Sequence, residues 1–210
     1  MPTLHERSND VSVIIPVYNL ERFLQPMLDS LKKQDLGEYV AEFIFVLNNC
    51  TDNSEEVIRS SGIDCTIFNC TTQGCGPARN AGMDIATGEY IWFMDGDDWL
   101  LSDTAIKDAL DKAYAEDLNV LRIPFKSDLF TFQYFSMVWQ YLLRRVFIKE
   151  FRFPEFQPAE DDAYMAAVLE KDGFDHNSHM SLPCVNKALY YYNYMREGSN
   201  MYRVWHGERI

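Results

Sequence analysis

Three observations predict an α/β fold whose mainly parallel sheet is flanked by helices. Strand-like and helix-like segments alternate through the first half of the chain. Short apolar runs are separated by glycine, proline and capping residues, the punctuation expected between buried strands and crossover helices. The apolar stretch Tyr90-Ile91-Trp92-Phe93-Met94 ends directly in Asp95-Gly96-Asp97-Asp98. That order puts carboxylates at the carboxyl end of a strand, where open α/β sheets bind ligands.

The elements follow in order. Val11 to Val17 is apolar apart from Ser12 and Pro16 and reads as a buried strand ending at Pro16. Asn19 is placed to cap the next helix, whose stripe is Phe23, Leu24, Met27, Leu28 and Leu31, with Pro26 in its first turn. Phe43 to Leu47 is the second strand. Asp52-Asn53-Ser54-Glu55 has capping-box spacing and opens a helix through Val57 and Ile58 that Gly62 closes. Cys65 to Phe68 is a third strand. Pro77 starts a helix bearing Ala78, Ala81, Ile85 and Ala86, which Gly88 ends. Tyr90 to Met94 is the fourth strand, and Ser102 caps the helix of Ile106, Ala109, Leu110 and Ala113. Beyond residue 118 the pattern changes. Val120 to Phe125 is strand-like, Phe130 to Phe151 is aromatic-rich, basic and partly helical, Glu160 to Lys171 is a helix stopped by Gly173, and Leu182 to Tyr194 is extended.

A chain of 210 residues fits one domain. Its formal charge of −13 argues against a nucleic-acid backbone or an anionic membrane as the main partner, although Arg144, Arg145, Lys149 and Arg152 form a local basic cluster. The five cysteines are odd in number and lack a C-x-x-C pair, which favours free thiols in a reducing compartment. The first residues lack the apolar core of a signal peptide, and no apolar run suffices to span a bilayer, so a cytoplasmic location is expected.

Carboxylates at a strand end repel one another and lose solvation unless a cation compensates them. Mg²⁺ and Mn²⁺ take such oxygen ligands, commonly together with substrate phosphates. Asp95-Gly96-Asp97-Asp98 therefore suggests an enzyme handling a diphosphate; a solvated turn or a calcium site is the alternative for this segment alone.

Taken with its neighbours the run becomes more specific. Val13-Ile14-Ile15-Pro16-Val17-Tyr18-Asn19, Thr51-Asp52-Asn53-Ser54, Gly76-Pro77-Ala78-Arg79-Asn80-Ala81-Gly82, Gly88 to Leu100 and Glu160-Asp161 occur in that order. Together they resemble the family-two glycosyltransferases of the GT-A (Rossmann-like) fold, inverting enzymes that use nucleotide-activated sugars. The resemblance spans roughly residues 11 to 170. It implies a nucleotide-sugar-binding half over about residues 11–118 and an acceptor-side half over about 119–210 of a single domain, 1–210.

Residue by residue, the resemblance makes Asp95 and Asp97 the Asp-x-Asp element. Asp95 lies nearer the ribose, Asp97 ligates Mn²⁺ or Mg²⁺, and Asp98 does either or caps the next turn. Gly96 belongs to the same nucleotide-sugar contact. Asp161 is the general base that accepts the acceptor hydroxyl proton, with Asp162 as the fallback; first-turn helix electrostatics also accounts for both acids. Arg79 approaches the nucleotide, or else forms a structural salt bridge beside the metal site. Asn80 supports the loop. Pro16, Val17 and Tyr18 border the base pocket. The family often carries an acidic pair after its second strand, one carboxylate of which accepts from uracil N3–H. Leu47 and Asn48 stand there instead, and the Asn48 amide is able both to accept and to donate.

His176 and His179 read as surface residues, and His206 as a late residue able to join the metal. Tyr190-Tyr191-Tyr192 with Tyr194, Trp99 and Trp139 read as packing residues, with sugar stacking as the alternative. The function expected is metal-dependent inverting transfer of one sugar from a nucleoside diphosphate, UDP above all, to a carbohydrate or lipid-linked acceptor in glycan or cell-surface polysaccharide synthesis. Peripheral membrane contact through residues 130–151 is an option; nucleic acid is not an expected partner. The rival functions are a sugar-phosphate nucleotidyltransferase and a catalytically silent nucleotide-sugar-binding module.

Overall fold

A computed structural model describes residues 9–127, 137–155, 160–174, 182–193 and 196–197. In chain order its elements are β1 (Val11–Val17), α1 (Leu24–Lys32), β2 (Ala41–Asn48), α2 (Ser54–Ser60), β3 (Thr66–Cys70), α3 (Cys75–Ile85), β4 (Tyr90–Phe93), β5 (Trp99–Leu100) and α4 (Ala105–Ala115). The remainder comprises β6 (Val120–Arg122), β7 (Phe125–Lys126), a 3₁₀ turn at Val138–Gln140, β8 (Tyr141–Arg144), α5 (Arg145–Ile148), α6 (Glu160–Lys171) and β9 (Tyr190–Tyr191).

The main sheet has the order β3-β2-β1-β4-β8-β6. Strands β3, β2, β1 and β4 are parallel, whereas β8 lies antiparallel to both β4 and β6. A smaller sheet, β5-β9-β7, sits beside it. Side chains alternate along each strand. Val11, Val13, Ile15 and Val17 pack with α1, α4, Trp92 and Trp139, while Ile14, Ile44, Val46, Ile91 and Phe93 pack with α3 and α6. With both faces covered, β1 is buried at every position, which explains its nearly continuous apolar sequence.

The chain runs β1 to β2 to β3 and then returns to the other side of β1 for β4. That reversal opens a crevice beyond the carboxyl ends of β1 and β4, the switch point where such sheets bind ligands. Gly62 and Gly173, at φ 75° and 83°, take the left-handed conformation that stops α2 and α6.

Several expectations are corrected. Asn19 is not the α1 cap: Phe23 holds that position, and the Asn19 side-chain oxygen accepts from the Thr51 N–H at 2.8 Å. Ser102 is not the α4 cap, which is Thr104. α3 ends at Ile85, ahead of Gly88. The described part of the Phe130–Phe151 stretch is partly helical, at Val138–Gln140 and in α5, but residues 141–144 between them are a strand inside the main sheet, with Leu142 and Leu143 beside Trp92 and Ile91. Among the described residues of the extended Leu182–Tyr194 stretch, only Tyr190–Tyr191 pairs as a strand, with Cys184 forming an isolated bridge to Arg122. His176, His179, Tyr194 and His206 lie outside the described residues. No helix among the described residues is long and apolar enough to cross a membrane, and all five cysteines are free thiols.

Candidate active site

Three segments meet at the switch point. β1 delivers Pro16 and Val17, both buried, and then Tyr18, which is 53% exposed. β4 delivers Asp95 to Asp98. Gly96 is the close approach between them: a Cβ there would lie 2.7 Å from Leu20 Cδ1 and 3.5 Å from the Pro16 carbonyl oxygen. A larger residue would displace the Leu20 side chain.

The third segment is the first turn of α6, brought in by Arg79 on α3. Arg79 is buried, and its Nη1 donates to Asp161 Oδ1 at 2.5 Å and to Glu160 Oε1 at 3.3 Å, while Nη2 donates to Asp95 Oδ1 at 3.0 Å. One guanidinium therefore joins the strand-end aspartate to Glu160 and Asp161 of the late helix. Its Cζ lies 5.4 Å from the centroid of Phe153, which stacks on Tyr164 at 3.9 Å. Asn80 clasps this loop as expected: its amide donates to the Phe153 carbonyl and accepts from the Phe153 N–H, both at 2.9 Å. The Arg79 charge is held well above its ordinary range by its acidic partners, Asp161 first, although burial opposes it.

Asp161 and Asp162 differ in environment as neighbours on a helix must. Asp161 faces inward, while Asp162 is exposed. Burial pushes the Asp161 carboxyl up to about 6 despite the opposing pull of Arg79. Its second oxygen accepts from the Val138 N–H at 3.3 Å.

The aspartate turn is stitched to the end of the smaller sheet. The Tyr190 hydroxyl accepts from the Asp95 N–H at 3.0 Å and donates to Asp98 Oδ2 at 2.6 Å. Asn193 donates from its backbone N–H to Asp98 Oδ1 at 2.8 Å and from its amide to the Asp97 carbonyl at 3.1 Å. Asp98 is thus a buried anchor of the turn, and burial together with the charge of Asp97 holds its carboxyl well above the usual carboxylate range. Asp97 Oδ2 accepts from Arg196 Nε, whose guanidinium lies 4.7 Å from the centroid of Phe23. Burial raises the Asp97 carboxyl too, against the pull of Arg196.

Tyr190 packs flat on Trp139 at 4.7 Å, and Trp99 stacks on Tyr191 at 4.0 Å, so these rings serve packing first. Asn48 is engaged by the chain itself. Its oxygen accepts from the Gly74 N–H at 2.9 Å, and its nitrogen donates to the Thr72 carbonyl at 2.6 Å and the Cys70 carbonyl at 3.3 Å. It fastens the loop that leads into α3. Asp52 ties the loops after β1 and β2 together, accepting from the N–H groups of Glu21 and Ser54.

Sequence reasoning did not single out Asn193 or Arg196, nor the part Tyr190 plays at the aspartate turn. No local pattern marks them, because their partners lie more than ninety positions away.

The donor set suits a hard divalent ion. Asp95 meets Arg79 through Oδ1 and Asp97 meets Arg196 through Oδ2, so each carboxylate keeps a second oxygen clear of those contacts. Among the described residues no closed cage of three or more His, Cys, Asp or Glu gathers. Two carboxylates completed by substrate phosphates are an ordinary magnesium-type arrangement. Asp95, Asp97, Glu160 and Asp161 also outnumber the cations Arg79 and Arg196, an excess that a dication relieves.

Residues 12–176 match the profile of Glycosyl transferase family 2. The chain belongs to this family, which sets aside the nucleotidyltransferase alternative. It is 31% identical over 129 residues to the glycosyltransferase GlyA of Streptococcus pneumoniae, covering 60% of this chain and 17% of that protein. Its fold is similar to S. aureus TarS residues 1–349 in complex with UDP-GlcNAc (TM-score 0.77, 24% identity, 92% of this chain and 60% of the other). It is likewise similar to the mannosyltransferase PcManGT of Pyrobaculum calidifontis in complex with GDP-Man and Mn²⁺ (TM-score 0.71, 16% identity, 98% and 61%). The mostly parallel sheet flanked by helices is the GT-A fold that these structures share. The chain spans only about a sixth to two fifths of the length of the curated relatives it matches.

Proposed function

We propose that the protein is a metal-dependent, inverting glycosyltransferase that moves one sugar from a nucleoside diphosphate, a UDP-sugar in the first instance, to the hydroxyl of a carbohydrate or lipid-linked acceptor. Glycan or cell-surface polysaccharide synthesis, on the cytoplasmic side, is the setting this reading implies. The observation that carries it is the Arg79 junction. A guanidinium that touches both Asp95 and Asp161 keeps the diphosphate side and the proton-accepting side within one side chain's reach.

In this reading residues 11–118 hold the donor and the remainder shapes the acceptor side. The exposed Tyr18 ring offers a stacking face for the base, over a floor of Pro16 and Val17. Asn48 acts by fixing the loop ahead of α3. Asp95 and Asp97 hold the ion, Mn²⁺ or Mg²⁺, and Gly96 lets the donor approach the backbone. The bound ion supplies charge compensation for the departing nucleoside diphosphate. Asp161 accepts the hydroxyl proton as the acceptor oxygen attacks the anomeric carbon from the face opposite the leaving group. Arg79 keeps Asp161 oriented and offsets the charge of its neighbours.

A panel of nucleoside diphosphate sugars with Mn²⁺ tests the reading. One donor should stabilise the fold against heat and be consumed in the presence of an acceptor sugar. Absence of any nucleotide-dependent stabilisation across the panel would overturn it.

A further inference from the structure

At the opposite end of β4 from the aspartates, Met83, Asp84, Ile91, Arg145, Lys149 and Arg152 line an open cavity of about 170 Å³. Three cations against one carboxylate is an unexpected lining in a chain of net charge −13. The single acid, Asp84, is matched by Arg152 Nη2 at 3.1 Å. Arg145 is held by carbonyls instead of a carboxylate: Nε donates to the Gly88 oxygen at 2.6 Å and Nη2 to the Thr87 oxygen at 3.1 Å. Among the described residues neither Arg145 nor Lys149 has a carboxylate at ion-pair distance. Two positive charges on one cavity, without a carboxylate partner among the described residues, repel each other, and an anion seated between them reduces that repulsion. A guanidinium already held in place has little freedom left to lose on binding, and its planar fork suits phosphate oxygens. Met83 and Ile91 form its apolar base.

The geometry points to a second ligand site in this cavity, for a phosphate group carried either by a small phosphorylated molecule or by a phospholipid headgroup. The site is separate from the donor cleft, because Ile91 lies near the start of β4 and the aspartates follow its far end. Val146, next to Arg145 on α5, is 63% exposed and offers an apolar contact to a lipid source.

The whole chain is titrated with inorganic phosphate and glycerol 3-phosphate by calorimetry. It is also sedimented with vesicles of phosphatidylglycerol in phosphatidylcholine, against phosphatidylcholine alone. Wild type binds at least one of these anionic probes, and binding weakens as salt rises. Binding to the small molecules alone identifies a soluble phosphorylated ligand; binding to the anionic vesicles identifies a phospholipid. Lys149→Glu weakens either by at least about tenfold while donor binding at the aspartate end is unchanged. Arg145→Gln/Lys149→Gln abolishes it. Because Arg145 also clamps backbone carbonyls, Lys149→Glu at an exposed position, with its melting temperature measured alongside, separates loss of the site from loss of the fold. Failure of wild type to bind phosphate, glycerol phosphate and anionic vesicles alike overturns the proposal. So does undiminished binding by Lys149→Glu.

Discussion

Arg79 Nη1 lies 2.5 Å from Asp161 Oδ1, across 82 positions of sequence, in the interior of the protein. The same guanidinium serves Asp95 and Glu160, so a single cation stands among three acids. Replacing it with a neutral side chain leaves those acids facing one another in a site poor in water. Arg79→Met should cost about 3–5 kcal/mol at neutral pH, the usual penalty for stripping one partner from a buried ion pair. The loss should shrink as pH falls through about 6, where Asp161 takes up a proton. Urea unfolding at pH 5 and pH 8 measures both, and an equal cost at the two values would contradict this account.

As the proposed base Asp161 has to be ionised to accept a proton, and burial pushes its carboxyl up to about 6. Transfer should therefore fall roughly tenfold per pH unit as pH drops below that value. Stability has the opposite sign. The folded state holds this proton more tightly than an unfolded aspartate near ~3.9, so Asp161 favours folding fully below ~4 and loses that contribution as pH rises through about 6. Asp161→Asn should lower turnover by at least about a hundredfold while nucleotide affinity stays within a fewfold of wild type. Wild-type turnover in that variant would remove Asp161 from the chemistry.

The Tyr190 hydroxyl bridges the Asp95 N–H and the Asp98 carboxyl. Tyr190→Phe keeps the stack on Trp139 but leaves a buried donor and a buried carboxyl short of a partner. A cost of about 1–3 kcal/mol is expected. Nucleotide binding with Mn²⁺ should weaken along with it, because the turn that presents Asp95 and Asp97 loosens. If calorimetry found unchanged nucleotide affinity, the bridge would be structural only.

Arg196 places a positive charge on the carboxylate proposed to hold the ion. Two cations at one buried carboxylate repel, so Arg196→Gln should bind Mn²⁺ more tightly in the absence of nucleotide. About tenfold corresponds to ~1.4 kcal/mol. Paramagnetic resonance of free Mn²⁺ reads the constant directly; unchanged or weaker affinity would show that the guanidinium does not compete.

Much of residues 11–118 was legible because the signals there are local. β1 and β4 announce themselves by apolar runs, α2 and α6 by their stopping glycines, and the aspartates by the strand that precedes them. Asp161 was preferred to Asp162 on its motif alone, and the helix geometry adds a physical difference, turning Asp161 inward and Asp162 to solvent. The partly helical reading of residues 130–151 missed the strand β8 inside it, because a short apolar segment buried in a sheet has no period that distinguishes it from a buried helix. Asn19 and Ser102 have the chemistry of caps, yet Asn19 is claimed by a neighbouring loop and Thr104 holds the cap position ahead of α4.

Period and punctuation, properties of residues a few positions apart, were enough to establish the alternating strands and helices, the family resemblance and the acidic strand end. The return of β4 alongside β1, the antiparallel insertion of β8 and the stitching of the aspartate turn by Tyr190, Asn193 and Arg196 arose only in three dimensions. Each depends on side chains and backbone groups far apart in the chain that come within hydrogen-bonding distance once the sheet has formed, and no local pattern encodes such a meeting.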